Sequence, residues 1–217
     1  WTAGGYATVI VDGSITVSDN YTIIIDGSIS VNGSIVNSGI FSGSGSPITA
    51  TDGIHINDGG QYEHARNGGV LPIASWSTGS HCRMTGITDT SPIIPSLTQP
   101  FGNFIWDCQS QSIVLSLYSQ LASVHGNLII HSTGNSALWL SNNSPADLSV
   151  GGNFQQTGGR FHIAYSAQST MTINGDFALD AGTFYITYDV GYGTMNVHGN
   201  LSSSGNLYFT YRPNGTG

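Results

Sequence analysis

A five-residue phrase recurs through the second half of this chain at a nearly fixed interval, and that interval restricts the possible folds more than any other feature. The phrase is a β-branched residue, a spacer, Gly, then Asn or Asp, then an apolar residue. It reads Val124-His125-Gly126-Asn127-Leu128, Val150-Gly151-Gly152-Asn153-Phe154, Ile173-Asn174-Gly175-Asp176-Phe177 and Val197-His198-Gly199-Asn200-Leu201, with a shortened form at Phe101-Gly102-Asn103-Phe104. The glycines fall at positions 102, 126, 152, 175 and 199, in steps of 24, 26, 23 and 24. Such a period marks a chain built from stacked units.

A second phrase follows the later copies. Gly159-Arg160 leads into Phe161-His162-Ile163-Ala164-Tyr165, Gly182-Thr183 into Phe184-Tyr185-Ile186-Thr187-Tyr188, and Gly205-Asn206 into Leu207-Tyr208-Phe209-Thr210-Tyr211, again in steps of 23. Alternation at period two reads as a half-buried strand, and no capped helical pattern competes with it. One such unit cannot bury its apolar face, whereas stacked units share a continuous core. The expectation is an all-β chain, a right-handed parallel β-helix of about nine coils of roughly 24 residues, with strands about 4.8 Å apart. A left-handed hexapeptide helix does not fit, because no six-residue period runs through the chain.

The N-terminal coils read shorter. Val11-Asp12-Gly13-Ser14-Ile15, Ile25-Asp26-Gly27-Ser28-Ile29 and Val31-Asn32-Gly33-Ser34-Ile35 echo one another, and the step from Gly13 to Gly27 is 14. The expected organisation is one continuous domain in three parts: short coils over 1–57, irregular insert-bearing coils over 58–112, and regular coils with steps of 23 to 26 over 113–217. No signal peptide is visible before Trp1 and neither end reads as capped, so the expectation is a piece of a longer chain whose ends meet further coils.

Composition narrows the partners. Only 7% of the residues are charged, with 4 basic against 12 acidic and a net charge of -8. So few cations cannot neutralise a run of phosphates or supply a polybasic patch for anionic lipid, so neither nucleic acid nor membrane insertion is expected. No apolar run reaches the ~20 residues of a membrane-spanning helix. Ten Tyr, eight Phe and four Trp supply a core, which argues against a disordered Gly/Ser chain.

The catalytic search returns no site. Glu63 is the only Glu, Lys is absent, and the four Arg are Arg66, Arg83, Arg160 and Arg212. Asp12 and Asp26 occupy equivalent turns, while Asp176, Asp180 and Asp189 are scattered, so no paired acid and base emerges. Nucleophile-elbow, zinc-helix and phosphate-loop motifs are missing. Catalytic residues, metal ligands and cofactors are therefore expected to be none, and an enzyme is not expected.

Three features remain as candidate sites. Cys82 and Cys108 are separated by a step of 26. That is close to one coil, and stacked residues fall within disulfide reach; a Cys82–Cys108 disulfide is expected, with two buried free thiols as the alternative. Trp139, His162, Tyr185 and Tyr208 recur at steps of 23. They alternate with the inward Leu138/Leu140, Phe161/Ile163, Phe184/Ile186 and Leu207/Phe209, which points the ladder outward, where rings can stack on sugar faces or a partner chain or simply stabilise neighbouring strands. Tyr165, Tyr188 and Tyr211 form a second column at the inward parity, expected in the core or at a corner. Asp89-Thr90-Ser91 resembles a short acceptor pattern for O-glycosylation at Thr90, with a plain turn as the alternative.

The run Gln61-Tyr62-Glu63-His64, Asn67-Gly68-Gly69, Pro72-Ile73-Ala74-Ser75-Trp76 and Gly79-Ser80-His81-Cys82-Arg83-Met84-Thr85-Gly86, continued by Phe101-Gly102-Asn103-Phe104-Ile105-Trp106-Asp107-Cys108, resembles a block of large secreted surface proteins of Bacteroidota. The resemblance spans roughly residues 54–206. It implies secretion by the type IX pathway, an extracellular or cell-surface location, and the short O-glycosylation pattern at Thr90; it carries over no catalytic residue. The function expected is a structural or adhesive surface stalk or filament component, whose partners are neighbouring copies or flanking coils. The alternative is a module that binds polysaccharide through the aromatic ladder.

Overall fold

The computed structural model describes residues 8–212 except 19, 26–27, 32–34, 38–39, 44–47 and 90–95. Among the described residues there is no helix and every strand pairing is parallel. The sheets stack as a β-solenoid of about seven turns. Among the described residues, three triplets of strands from Thr8–Val11 to Gln61–His64 and four from Leu115–Ser116 to Leu201–Ser203 each close a three-sided turn. Between them the described residues contribute Ser75–Trp76, His81–Met84 and Asn103–Asp107.

One sheet runs the length of the molecule. Its nine strands are Thr22–Ile25, Ile40–Gly43, Gln61–His64, His81–Met84, Asn103–Asp107, Leu128–Ser132, Phe154–Gln156, Phe177–Leu179 and Leu201–Ser203. In the C-terminal half a five-stranded sheet from Leu115–Ser116 to Asn206–Tyr211 and a four-stranded sheet from Ser123–Val124 to Tyr192–Val197 form the other two sides. In the N-terminal half these sides are separate sheets of three and four strands.

The core follows from register. Tyr62, Cys82, Phe104, Leu128, Phe154 and Phe177 pair in sequence down the long sheet, and each is essentially inaccessible to solvent. Phe154 lies on Phe177 with ring centres 5.1 Å apart and planes 10° off parallel. Identical side chains stacked at strand spacing bury their faces against each other, which is how a solenoid makes one core from many small units.

The repeating phrase acquires a physical reason at the corner before each of the last four strands of the long sheet. The backbone N–H of Asn127 donates to Asn103 Oδ1, that of Asn153 to Asn127 Oδ1, and that of Asp176 to Asn153 Oδ1, each at 2.8 Å, and that of Asn200 to Asp176 Oδ1 at 2.7 Å. The oxygen occupies the space where the next coil's residue before the Asx would carry its Cβ. A Cβ built on Gly126 would lie 2.5 Å from Asn103 Oδ1, and one on Gly175 would lie closer still to Asn153 Oδ1. Asn in one coil therefore requires Gly in the next, and the pair is copied from coil to coil.

The Cys82–Cys108 disulfide expected from spacing is not formed; both thiols are free and buried. The coil is shorter here, so Cys82 faces Phe104 across the sheet. Cys108 falls past the end of that strand and donates its thiol hydrogen to Met84 O at 3.4 Å. A step of 26 matches the coil between Asn127 and Asn153 but not this one.

Candidate functional site

The expected ladder is in register. Trp139 pairs with His162, His162 with Tyr185, and Tyr185 with Tyr208 in the five-stranded sheet. Gly159 and Gly182, with φ of 69° and 86°, turn the chain into two of these strands, a conformation that side chains disfavour.

Exposure departs from the expectation of an open outward row. His162 is 2% exposed and Tyr185 9%, Trp139 is half-buried, and Tyr208 alone is open at 38%. The cover comes from the second column. Tyr165 stacks on Trp139 at 4.3 Å and 13°, Tyr188 lies 4.7 Å from His162, and Tyr211 meets Tyr185 edge-on at 5.4 Å. Of the two placements expected for Tyr165, Tyr188 and Tyr211, the core is corrected: none is buried, they lie with the ladder, and Tyr165 sits at the bend after its strand. The paired register omits Leu140, Ile163 and Ile186, and strict alternation does not survive that interruption.

The ring geometry decides what the surface can do. Tyr185 and Tyr208 stack at 4.8 Å and 10°, and His162 sits 4.4 Å from Tyr185. Rings that face one another along the solenoid axis present edges to the outside. A platform for sugar stacking needs free faces, and of the four ladder rings Tyr208, at its end, is the most exposed.

The site is apolar in its electrostatics. Burial, helped by the Arg160 charge, lowers His162 to about 3, so the ring is neutral at physiological pH. Neither of its nitrogens, nor Trp139 Nε1, has a hydrogen-bond partner among the described residues. Burial likewise raises Tyr185 and Tyr188. None of these groups is poised to exchange protons near neutrality.

Several polar side chains that could serve a site instead bond between coils. Asp176 Oδ1 accepts from the backbone N–H and, at 3.2 Å, from the side-chain amide of Asn200. Arg83 pairs with Asp107 at 2.7 Å, Glu63 accepts from Thr85, and Asp58 accepts from the Gly79 N–H. Burial pushes the Cys108 thiol up to about 12 and the Cys82 thiol well above its usual range, so neither is a nucleophile. Among the described residues no three His, Cys, Asp or Glu gather as metal ligands, and no helix is long and apolar enough to cross a membrane. Thr90 lies outside the described residues.

Sequence reasoning passed over two sets of residues. One is the Asn103, Asn127, Asn153, Asp176 and Asn200 column, signalled by the same phrase that gave the period. The other is the buried amides. Gln99 accepts from Ala74 N–H and Trp76 Nε1–H and donates to Pro72 O and Ser96 O. Gln111 accepts from Trp106 Nε1–H and donates to Ile113 O and Ala137 O. No repeat marks these two.

No family model, curated protein or solved structure matches the chain.

Proposed function

We propose that this chain is a section of an extracellular structural or adhesive stalk, a right-handed solenoid of about nine coils, and that it performs no catalysis. The observation that carries the reading is the stacking of Tyr185 on Tyr208 and of Trp139 on Tyr165: the most binding-like side chains bond coil to coil. The nine strands of the long sheet support the coil number. The resemblance to Bacteroidota surface proteins supports type IX secretion and a cell-surface location, and the scarcity of basic residues argues against nucleic acid and anionic membrane as partners. Its partners are then coils of the same kind, flanking or from neighbouring copies.

Electron microscopy of the native material, on cells and purified, tests this. Continuous rods or fibres are expected; discrete compact particles would sink it. A glycan array with the Tyr185→Ala/Tyr208→Ala variant as control covers the polysaccharide reading: no binding is expected, and binding lost in the variant would replace the stalk with a carbohydrate-binding module.

A further inference from the structure

The four corner junctions between Gly102 and Leu201 repeat one hydrogen-bond pattern. In each, the later glycine N–H donates to the earlier glycine carbonyl, from Gly126 to Gly102 at 2.7 Å through to Gly199 to Gly175 at 3.0 Å. The later Asx N–H donates to the earlier Asx Oδ1. The earlier apolar residue returns its N–H to the later Asx carbonyl, from Phe104 to Asn127 at 2.9 Å through to Phe177 to Asn200 at 2.8 Å.

The last described coil displays the same three groups. Gly199 O, Asn200 Oδ1 and the Leu201 N–H have no hydrogen-bond partner among the described residues. Around them Leu201 is 50% exposed and Phe209 68%, at positions whose predecessors Phe177 and Ile186 are buried. The outer face of Tyr208 continues the stack begun on Tyr185.

We propose that this end surface selectively accepts one further coil of the same repeat class, bearing Gly-Asx-apolar at the corner. The inference rests on the stalk reading and names the partner by its chemistry. The Gly is required because Asn200 Oδ1 stands where any Cβ would go, as Asp176 Oδ1 stands in the place of a Cβ built on Gly199. The residue after that Gly supplies, from its backbone, the N–H for Asn200 Oδ1 and the C=O for the Leu201 N–H, as the backbones of Asn127, Asn153, Asp176 and Asn200 do inside the molecule; its Asx side chain serves only the junction that follows. The interface is continuous with those already formed inside the molecule. A second copy stacked head to tail does not satisfy it. Following the long-sheet register from Leu201 back to Ile23 places Tyr21-Thr22 where Gly-Asx is needed, and Tyr21 carries a Cβ.

The test fuses a copy of positions 190–212 after Arg212, matching the Tyr188 to Tyr211 step. A second fusion changes only the glycine copied from Gly199 to alanine. Amide exchange at Leu201 is the readout. The glycine fusion should slow Leu201 exchange at least about tenfold over the unfused chain, and the alanine fusion less than about twofold. Equal protection by both fusions overturns the corner selectivity and leaves the stalk reading standing. Protection by neither overturns both. Filaments formed by the unfused chain alone, seen in sedimentation, overturn the exclusion of a head-to-tail copy.

Discussion

At the scale of single residues, the Asn and Gly of the repeat act as one unit split across two coils. Asn103 is 7% exposed; its Oδ1 takes the Asn127 N–H and its Nδ2 donates to Ser80 O at 3.0 Å. Asn103→Ala leaves a backbone donor without its acceptor, a loss of about 1–3 kcal/mol. Gly126→Ala drives a methyl into the same oxygen and should cost at least as much. Since the collision is chiefly with the Asn103 side chain, the double variant should be markedly less destabilised than the sum; chemical unfolding of the four proteins reads this, and strict additivity would refute the coupling. The two thiols make a second prediction. Burial holds both protonated, so a thiol-reactive probe should label them only on unfolding, and reductant should leave the unfolding midpoint unchanged. Labelling of the native chain within minutes would contradict the buried register.

At the scale of the element, the aromatic sheet couples stability to pH through His162. Its folded pKa, about 3, lies below the ordinary 6.5. The folded state therefore binds fewer protons than the unfolded state between those values, and stability is complete above pH 6.5 and falls on acidification at up to about 1.4 kcal/mol per unit. His64, inaccessible and bonded through Nε2 to Gly68 O at 2.7 Å, is lowered by burial too and adds in the same direction. Both ring nitrogens of His162 lack partners among the described residues, so His162→Phe should keep the stack, remove the titration and flatten the decline between pH 6.5 and 4; an unchanged slope would show that His162 is not its source. The positions of this ladder were legible because a step of 23 survives in Trp139, His162, Tyr185 and Tyr208. Their orientation was not. Parity assumes uninterrupted pairing, and the interruption at Ile163 and Ile186 brings Tyr165 and Tyr188 over the ladder. The cysteine register was equally hidden, because no Gly-Asn phrase marks the coil of Cys82 and the step there shortens to 22.

At the scale of the molecule, among the described residues two of the three sides lack a continuous strand ladder through the middle, where a single bridge joins Phe101 to Val124. The N-terminal side sheets end at Ile48–Ala50 and Ser75–Trp76, and their C-terminal counterparts begin at Leu115–Ser116 and Ser123–Val124. Continuous ladder pairing crosses this stretch on the long sheet, with isolated backbone bonds beside it such as Ser112 N–H to Thr88 O and His125 N–H to Phe101 O, both at 2.8 Å, and side chains add to the coupling between halves. A chain of rings does so: Tyr62 meets Trp76 edge-on at 6.5 Å, Trp76 meets Phe101 edge-on at 5.1 Å, and Phe101 lies tilted on Phe104 at 5.1 Å. Gln99 fixes Trp76 through its indole N–H at 3.1 Å. In a nearest-neighbour stack, weakening one junction lowers cooperativity more than it lowers the stability of either block. Trp76→Ala removes the central ring and should cost about 3–5 kcal/mol at the junction. The unfolding of the intact chain as one calorimetric transition should then split in two, with amides of Ile54–Ile56 and Gln61–His64 exchanging apart from those of Phe154–Gln156 and Phe177–Leu179. A single transition shifted to lower temperature, with all these amides still exchanging together, would show that the long sheet alone holds the halves as one unit.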